Sequence, residues 1–444
     1  MHRRAVTIVG ATVAAGAALA VIGLAPNGAS GVSAVRAATG ATQVSCSLPA
    51  SGTQFGSATP AQVDIDPAAV RDAIAYAQIH VRASVQIFRN NCRIGRGLLD
   101  PVTDYVPMEV FSSTKSVISI LTGIAWDQGK IGLDDPIGKY LPAGLGDAAH
   151  RAITIRQLLT ETSGLDESIL SEFVTVGLDE DIAQEALAQP ITHTPGTHFE
   201  YSQRTPDLLS AVLQHALGED LQAFAQRYLF DPIGIPRSSY IWLRDRAGYT
   251  YGYANLFIPP AQFAKLGLMM QNGGTWRGQR VLSSAYIARI RENTATNPCY
   301  GFLFWLNGGT SCTSANIPAA QTVAGPMIGS APTDLYAMVG ALQQNNFMIP
   351  SLNMTVTWTG AFGDTPLNLA GILSASGGAS DLYYNFFRIL MRGVRDVHVP
   401  DPGPFRNPPI DLDINPVNYL SPAVLLRDLA PNAQCNVLVC RHAP

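Results

Sequence analysis

Charge is scarce in this sequence. Only 14% of its 444 residues are Asp, Glu, Lys or Arg, only four are lysines, and no run of like charges occurs. A chain that grips phosphate backbones needs a basic stripe, so no nucleic-acid partner is expected. Short thiolate spacings are also lacking: Cys46, Cys92, Cys299, Cys312, Cys435 and Cys440 contain no C-x-x-C pair, which disfavours a thiolate metal site. There is no H-E-x-x-H and no G-x-S-x-G, which argues against a zinc hydrolase and against the nucleophile elbow of an α/β-hydrolase. No repeat period is visible, so a solenoid is not expected. What is abundant is apolar surface, 47% of residues, enough for one large globular domain and too much for a disordered chain.

The chain opens with Met1-His2-Arg3-Arg4 and an apolar stretch from Ala5 to about Ala25, followed by Pro26 and small residues. This is the pattern of an export signal over residues 1–37, with cleavage expected near Ala37 and Ala38; kept uncleaved, its length would also serve as a membrane anchor. An even cysteine count in an exported chain implies disulfides, and local spacing pairs Cys46 with Cys92, Cys299 with Cys312 and Cys435 with Cys440, one of 15 possible connectivities. Residues 38–62, rich in Ser, Thr, Ala and Gly, are expected to form a linker, and the Pro-rich stretch 396–444 a tail without a core of its own.

Between them, 63–395 reads as the domain. A helix should start at Asp66-Pro67 and run through Gln78, a strand should cover Ser84–Arg89, and a strongly apolar helix should run from Ser113 to Gln128 and stop at Gly129. Helical and turn-rich segments dominate about 130–290. Strand signals return at Leu335–Leu342, Asn346–Ile349 and Met354–Thr359, and a last amphipathic helix is expected over Asp381–Gly393. Strands at both ends of the domain with helices between them predict an α+β fold whose sheet is assembled from distant segments.

Chemistry concentrates at Phe111-Ser112-Ser113-Thr114-Lys115-Ser116, an S-x-x-K pattern at a helix mouth, where positions i and i+3 share a face. A serine hydroxyl becomes a nucleophile when something takes its proton. A lysine amine does this if its surroundings keep it neutral, whereas a guanidinium cannot. The pattern alone also fits a capping serine and a solvated lysine. Two features favour chemistry: only Lys115 among the four lysines has a serine three positions before it, and the apolar run Val117, Ile118, Ile120, Leu121 and Ile124 buries the helix that carries it.

With these residues the chain resembles the class C branch of the serine β-lactamase and penicillin-binding-protein family, which includes carboxylesterases, D-stereospecific peptidases and nylon-oligomer hydrolases. The resemblance continues through Trp126-Asp127-Gln128-Gly129-Lys130-Ile131-Gly132-Leu133-Asp134-Asp135-Pro136 and through Ile153–Leu165, where Glu161 stands in place of the family's usual histidine, and covers about 65–395. It implies an antiparallel sheet flanked by helices, with the active site between this sheet and an all-helical region. By the same resemblance, Tyr201-Ser202-Gln203 takes the place of Y-x-N, with Tyr201 as a proton relay beside Ser112 and Gln203 as a substrate amide contact. Counting back from Ile349-Pro350 puts the third motif at Met338-Val339-Gly340, with the N–H of Ala341 joining that of Ser112 as an oxyanion hole. Met338 lacks the cation that holds a substrate carboxylate in β-lactamases and D-Ala peptidases, so neutral esters or amides are the expected small-molecule substrates.

The block Tyr300–Asn307 resembles one of the esterase and nylon-hydrolase members; packing is its first expectation, with Trp305 lining the substrate cleft as the second. His193 and His198, close to Tyr201, are expected to serve the loop or to touch substrate. The resemblance implies no cofactor and no metal. The combined expectation is an exported serine hydrolase acting through an acyl-enzyme. Its alternatives are a β-lactamase or D-Ala-D-Ala carboxypeptidase, and a catalytically impaired envelope-binding protein on the same fold.

Overall fold

A computed structural model describes residues 35–36, 43–166, 179–314, 321–360, 381–406 and 411–412. At its centre is a six-stranded antiparallel sheet. Its strands are β1 (Arg82–Arg89), β2 (Cys92–Arg96), β3 (Trp305–Leu306), β4 (Tyr336–Gly340), β5 (Gln344–Ile349) and β6 (Met354–Gly360), in the spatial order β2-β1-β6-β5-β4-β3. The sheet therefore joins the two ends of the domain, β1 lying against β6 through pairs such as Val356 with Ile87 and Trp358 with Val85.

Because side chains alternate along a strand, the sheet has two distinct faces. Helix α1 (Pro67–Ile79) begins as expected, Asp66 accepting from the Ala68 N–H at 2.9 Å and Pro67 occupying the first turn. It packs with α5 (Asp381–Met391) on one face, where Phe347 and Trp358 meet Tyr383, Phe386 and Phe387 at ring-centroid separations of 4.8–5.6 Å. The opposite face carries Asn346 and Thr357 and is covered by α4 (Pro260–Gln271), whose Phe263 carbonyl accepts from Asn346 Nδ2 at 2.8 Å. Gly267 on α4 lets the helix sit close at this contact, since a Cβ there would lie 3.0 Å from Asn346 and Thr355 side-chain atoms, which would have to shift slightly.

Helix α2 (Ser113–Asp127) is buried from Ser113 to Ala125 and ends at Gly129, which takes φ +68°. Around it lies the helical region, of which α3 (Arg204–Leu217) is the longest member. Among the described residues no helix is long and apolar enough to cross a membrane.

The segment expected as a linker over 38–62 is, from Gln43 on, part of the domain. Gln43 Nε2 donates to Asp64 and Asp396, Leu48 and Phe55 are buried, and Cys46 is bonded to Cys92. A second disulfide joins Cys299 and Cys312. The start of the tail is also docked: Val397–His398 pairs with Val35–Arg36, and Asp401 bridges Arg388 and Arg392 of and just beyond α5. The expected signal segment before residue 35, the Cys435–Cys440 pair and the tail beyond Leu412 lie outside the described residues.

Candidate active site

The approach to Ser112 is a sharp turn. The short strand Met108–Glu109 leads to Phe111, held at φ +44°, and the chain then enters α2 with Ser112 as its N-cap. A left-handed conformation at a non-glycine residue costs on the order of 1–3 kcal/mol and is retained where surrounding contacts enforce it. Here those contacts are the Ser113 and Thr114 N–H groups donating to Val110 O and Phe111 O at 3.0 and 2.9 Å, and Ser113 Oγ donating to Gln344 O of β5 at 2.7 Å. The Ser112 side chain is left partly open to solvent at the helix mouth.

One turn along α2, Lys115 is only 1% exposed. Its Nζ donates to Ser112 Oγ at 3.2 Å and to Gln203 Oε1 at 2.5 Å, and lies 4.5 Å from the centre of the Tyr201 ring and 5.7 Å from that of Tyr253. Ser112, Lys115, Tyr201 and Gln203, spread over 92 positions of sequence, are thereby brought to one place. The lysine meets the face of the Tyr201 ring, an arrangement that favours cation–π attraction whenever the amine is charged.

The end of β4 forms the wall beside this group. A Cβ on Gly340 would lie 2.1 Å from Val110 O, so only glycine lets the strand approach the backbone that precedes Ser112 so closely. Ala341 follows at the start of a tight β4–β5 turn containing Leu342 and Gln343 at φ +56° and +70°, whose carbonyls accept from Arg82 Nη1 at 3.5 and 3.2 Å. Met338 is fully buried and its sulfur accepts from Asn346 Nδ2 at 3.8 Å, so no cation stands at that position. Trp305 is 2% exposed and packs 5.6 Å from the Tyr201 ring and 4.8 Å from that of Tyr300.

A family model described as beta-lactamase matches residues 83–363, well over half of the chain and inclusive of Ser112, Lys115, Tyr201, Gln203 and Gly340. The chain belongs to the beta-lactamase family. Among curated relatives, Protein flp of Staphylococcus aureus is 26% identical over 145 residues, 32% of this chain and 28% of flp. Esterase EstB of Burkholderia gladioli is 29% identical over 166 residues, 32% of this chain and 42% of EstB. The chain thus spans less than half the length of either relative. Among solved structures, a putative 6-aminohexanoate-dimer hydrolase from Bacillus anthracis aligns with a TM-score of 0.57 at 14% identity, covering 80% of this chain and 89% of that one, a likeness of fold. The family is one of serine hydrolases, and its fold is the α+β arrangement found here.

The structure also supplies a cluster that the sequence patterns did not single out. Arg204, in the first turn of α3, meets three buried carboxylates: Asp179 at 2.7 Å, Asp207 at 3.2 Å and Glu185 at 3.5 Å. Burial, opposed by Arg204 and reinforced by Asp179, pushes the Asp207 and Glu185 carboxyls well above the usual carboxylate range. Asp207 accepts from the Gly252 and Tyr253 N–H groups at 2.7 and 3.3 Å, which ties the Gln203 end of α3 to the segment whose Tyr253 ring faces Lys115. Glu161, in place of the family's usual histidine, is buried, and its carboxylate accepts from the Ser202 N–H at 3.3 Å. Burial, then Glu161 and Tyr201, hold the Tyr300 hydroxyl well above its ordinary range, so it stays protonated. For the Arg204 cluster the sequence offers only an Arg-x-x-Asp pair at helical spacing, which many surface helices share, whereas Glu161 and Tyr300 stand in the family-like blocks.

Proposed function

We propose that this beta-lactamase-family chain is an exported, carboxylesterase-like serine hydrolase that works through an acyl-enzyme on neutral esters or amides. The observation that carries the reading is the 3.2 Å contact between Lys115 Nζ and Ser112 Oγ with the lysine buried. Lys115 takes the hydroxyl proton as Ser112 Oγ attacks the substrate carbonyl carbon, giving a tetrahedral oxyanion. The N–H groups of Ser112, at the mouth of α2, and of Ala341, after β4, receive that charge. Collapse breaks the carbonyl–leaving-group bond, and the departing alcohol or amine is protonated from Lys115 by way of Tyr201. Water then repeats the attack on the acyl-serine, returning the proton to Ser112 and releasing the acid. Gln203 holds the lysine and offers an amide to the substrate.

Selection among substrates follows from Met338. A thioether cannot form a charge-assisted hydrogen bond to a substrate carboxylate, so anionic β-lactams lose the anchor that neutral esters do not need. The name of EstB agrees with this reading. Export is supported by the charged and apolar start of the chain and by two disulfides, which persist in oxidising compartments. A panel of p-nitrophenyl esters, D-amino-acid amides and nitrocefin, each run with Ser112→Ala, tests it. Ester or amide turnover well above nitrocefin turnover is expected, and lost in the variant. Comparable nitrocefin turnover contradicts the substrate assignment, and no turnover of any compound favours a binding protein.

A further inference from the structure

Eight residues before Tyr201 and three before it stand two histidines, His193 and His198, and directly before it stands Glu200. Their rings stack with centroids 4.1 Å apart and 25° between planes, and one ligand-capable atom from each of the two imidazoles and from the Glu200 carboxylate lies within 4.8 Å of the others. Both histidines are exposed and Glu200 is half-buried. Two imidazoles stacked face to face at a surface are an unfavourable pair once both are charged, and each gains little from burying so little area. The arrangement brings donor atoms together where packing alone has no need of them.

The backbone that carries these residues is held from several sides. The Thr192 and His193 N–H groups donate to Gly164 O at 2.9 and 3.3 Å, the Gly196 N–H to Thr162 O at 2.8 Å, and the Glu200 N–H to Glu161 O at 3.0 Å. Gly164, at φ +76°, lies so close under His193 that a Cβ would be 2.1 Å from the His193 carbonyl. Thr197 closes the turn between the histidines with two bonds to Thr194 O, at 3.1 Å from its N–H and 2.7 Å from its hydroxyl. The turn is thus positioned before any ligand arrives, which lowers the ordering cost of binding.

We propose that His193, His198 and Glu200 form a binding site for a zinc-like divalent cation, next to the catalytic group and separate from it. Two imidazoles and one carboxylate are a donor set suited to Zn²⁺, with a fourth position left for water. Tetrahedral zinc with bonds of ~2.0–2.1 Å needs donor atoms about 3.3 Å apart, so small side-chain rotations close the present spread. The cation would bridge the two ends of the 193–200 turn and stiffen the segment that delivers Tyr201 and Gln203 to Lys115. It takes no part in the acyl-transfer chemistry proposed above.

The test uses the full chain with any affinity tag removed. Zn²⁺ titration by calorimetry is expected to give one saturable site in wild type. In His193→Ala/His198→Ala the affinity should fall by more than the roughly 10–100-fold that loss of an outer-shell partner costs. Glu200→Gln should weaken binding to a smaller extent. Zn²⁺ should also raise the thermal midpoint of wild type and leave that of the double variant unmoved, by mass action on the folded state. Equal midpoints of the two proteins without metal establish that the substitutions leave the fold intact; if they differ, the Glu200→Gln titration decides. No saturable binding by wild type, or binding that survives the double substitution, overturns the proposal. Neither readout depends on ester hydrolysis, so its outcome is independent of the function proposed above.

Discussion

At the residue scale, the chemistry turns on what surrounds one amine. Gln203 Oε1 accepts from Lys115 Nζ at 2.5 Å, and a neutral carbonyl oxygen at that distance orients the lysine without fixing a proton on it. A carboxylate there would favour the charged ammonium, which cannot accept a proton from Ser112. Gln203→Glu is therefore expected to lower ester kcat by on the order of 10²-fold or more, the scale of a lost general base. The remaining activity should move to higher pH, because an adjacent anion raises the pKa of an amine. Gln203→Asn, which restores the family's more usual amide, should retain most of the activity. A pH profile of kcat for the three proteins distinguishes this from simple loss of a contact, which would lower kcat without moving the profile. The rarity of lysine, the buried helix and the spacing from Ser112 made this pair legible in the sequence. The Tyr253 ring and the Arg204 cluster were not legible, because their residues are joined only by the tertiary fold.

At the scale of elements, the site exists because a strand end meets a helix mouth. The Gly340 position on β4 approaches Val110 O within 2.1 Å of where a Cβ would be, so Gly340→Ala must push β4 and its following turn away from Ser112. A loss of ester kcat/KM of about 10²-fold, the cost of misplacing a reacting group by an ångström, is expected together with a lower thermal midpoint; unchanged kinetics would detach β4 from the site.

The other end of the sheet holds a titrating pair. Asp100, 1% exposed, accepts from the Gly97 and Val85 N–H groups, yet burial first and the nearby Asp104 second push its carboxyl up to about 7. The folded state then keeps a proton that the unfolded state, titrating near 3.8, has lost, so this stabilisation is complete below about 4 and disappears as pH rises through 7. Asp100→Asn cannot ionise. Its stability relative to wild type, measured from urea unfolding, should rise steadily from pH 4 to 7, whereas a constant difference would contradict the assignment. The strands and helices themselves fell close to their expected bounds because their periodicity is strong. The ring packing of Trp305 against Tyr201 and Tyr300 was harder to foresee, because one-dimensional spacing does not tell which residues meet across the fold.

At the scale of the whole molecule, a sheet made from both ends of the domain also binds the segment ahead of it. Residues 43–62 were expected to be a linker because Ser, Thr, Ala and Gly dominate them, and composition hides that Leu48 and Phe55 are core residues and that Cys46 is covalently fixed to Cys92. That disulfide closes a loop with a sequence separation of 46. Replacing both cysteines by alanine should cost about 2–4 kcal/mol of stability in urea unfolding. A loss near zero would show that the strap is held by its hydrogen bonds and by the burial of Leu48 and Phe55 without help from the disulfide.

The central claim, that Ser112 is the nucleophile of a working hydrolase, is tested most directly by mass spectrometry after reaction with a fluorophosphonate probe. One covalent adduct on the peptide bearing Ser112 is predicted in wild type, with none in Ser112→Ala. No adduct in wild type, or one that persists in the variant, would contradict it.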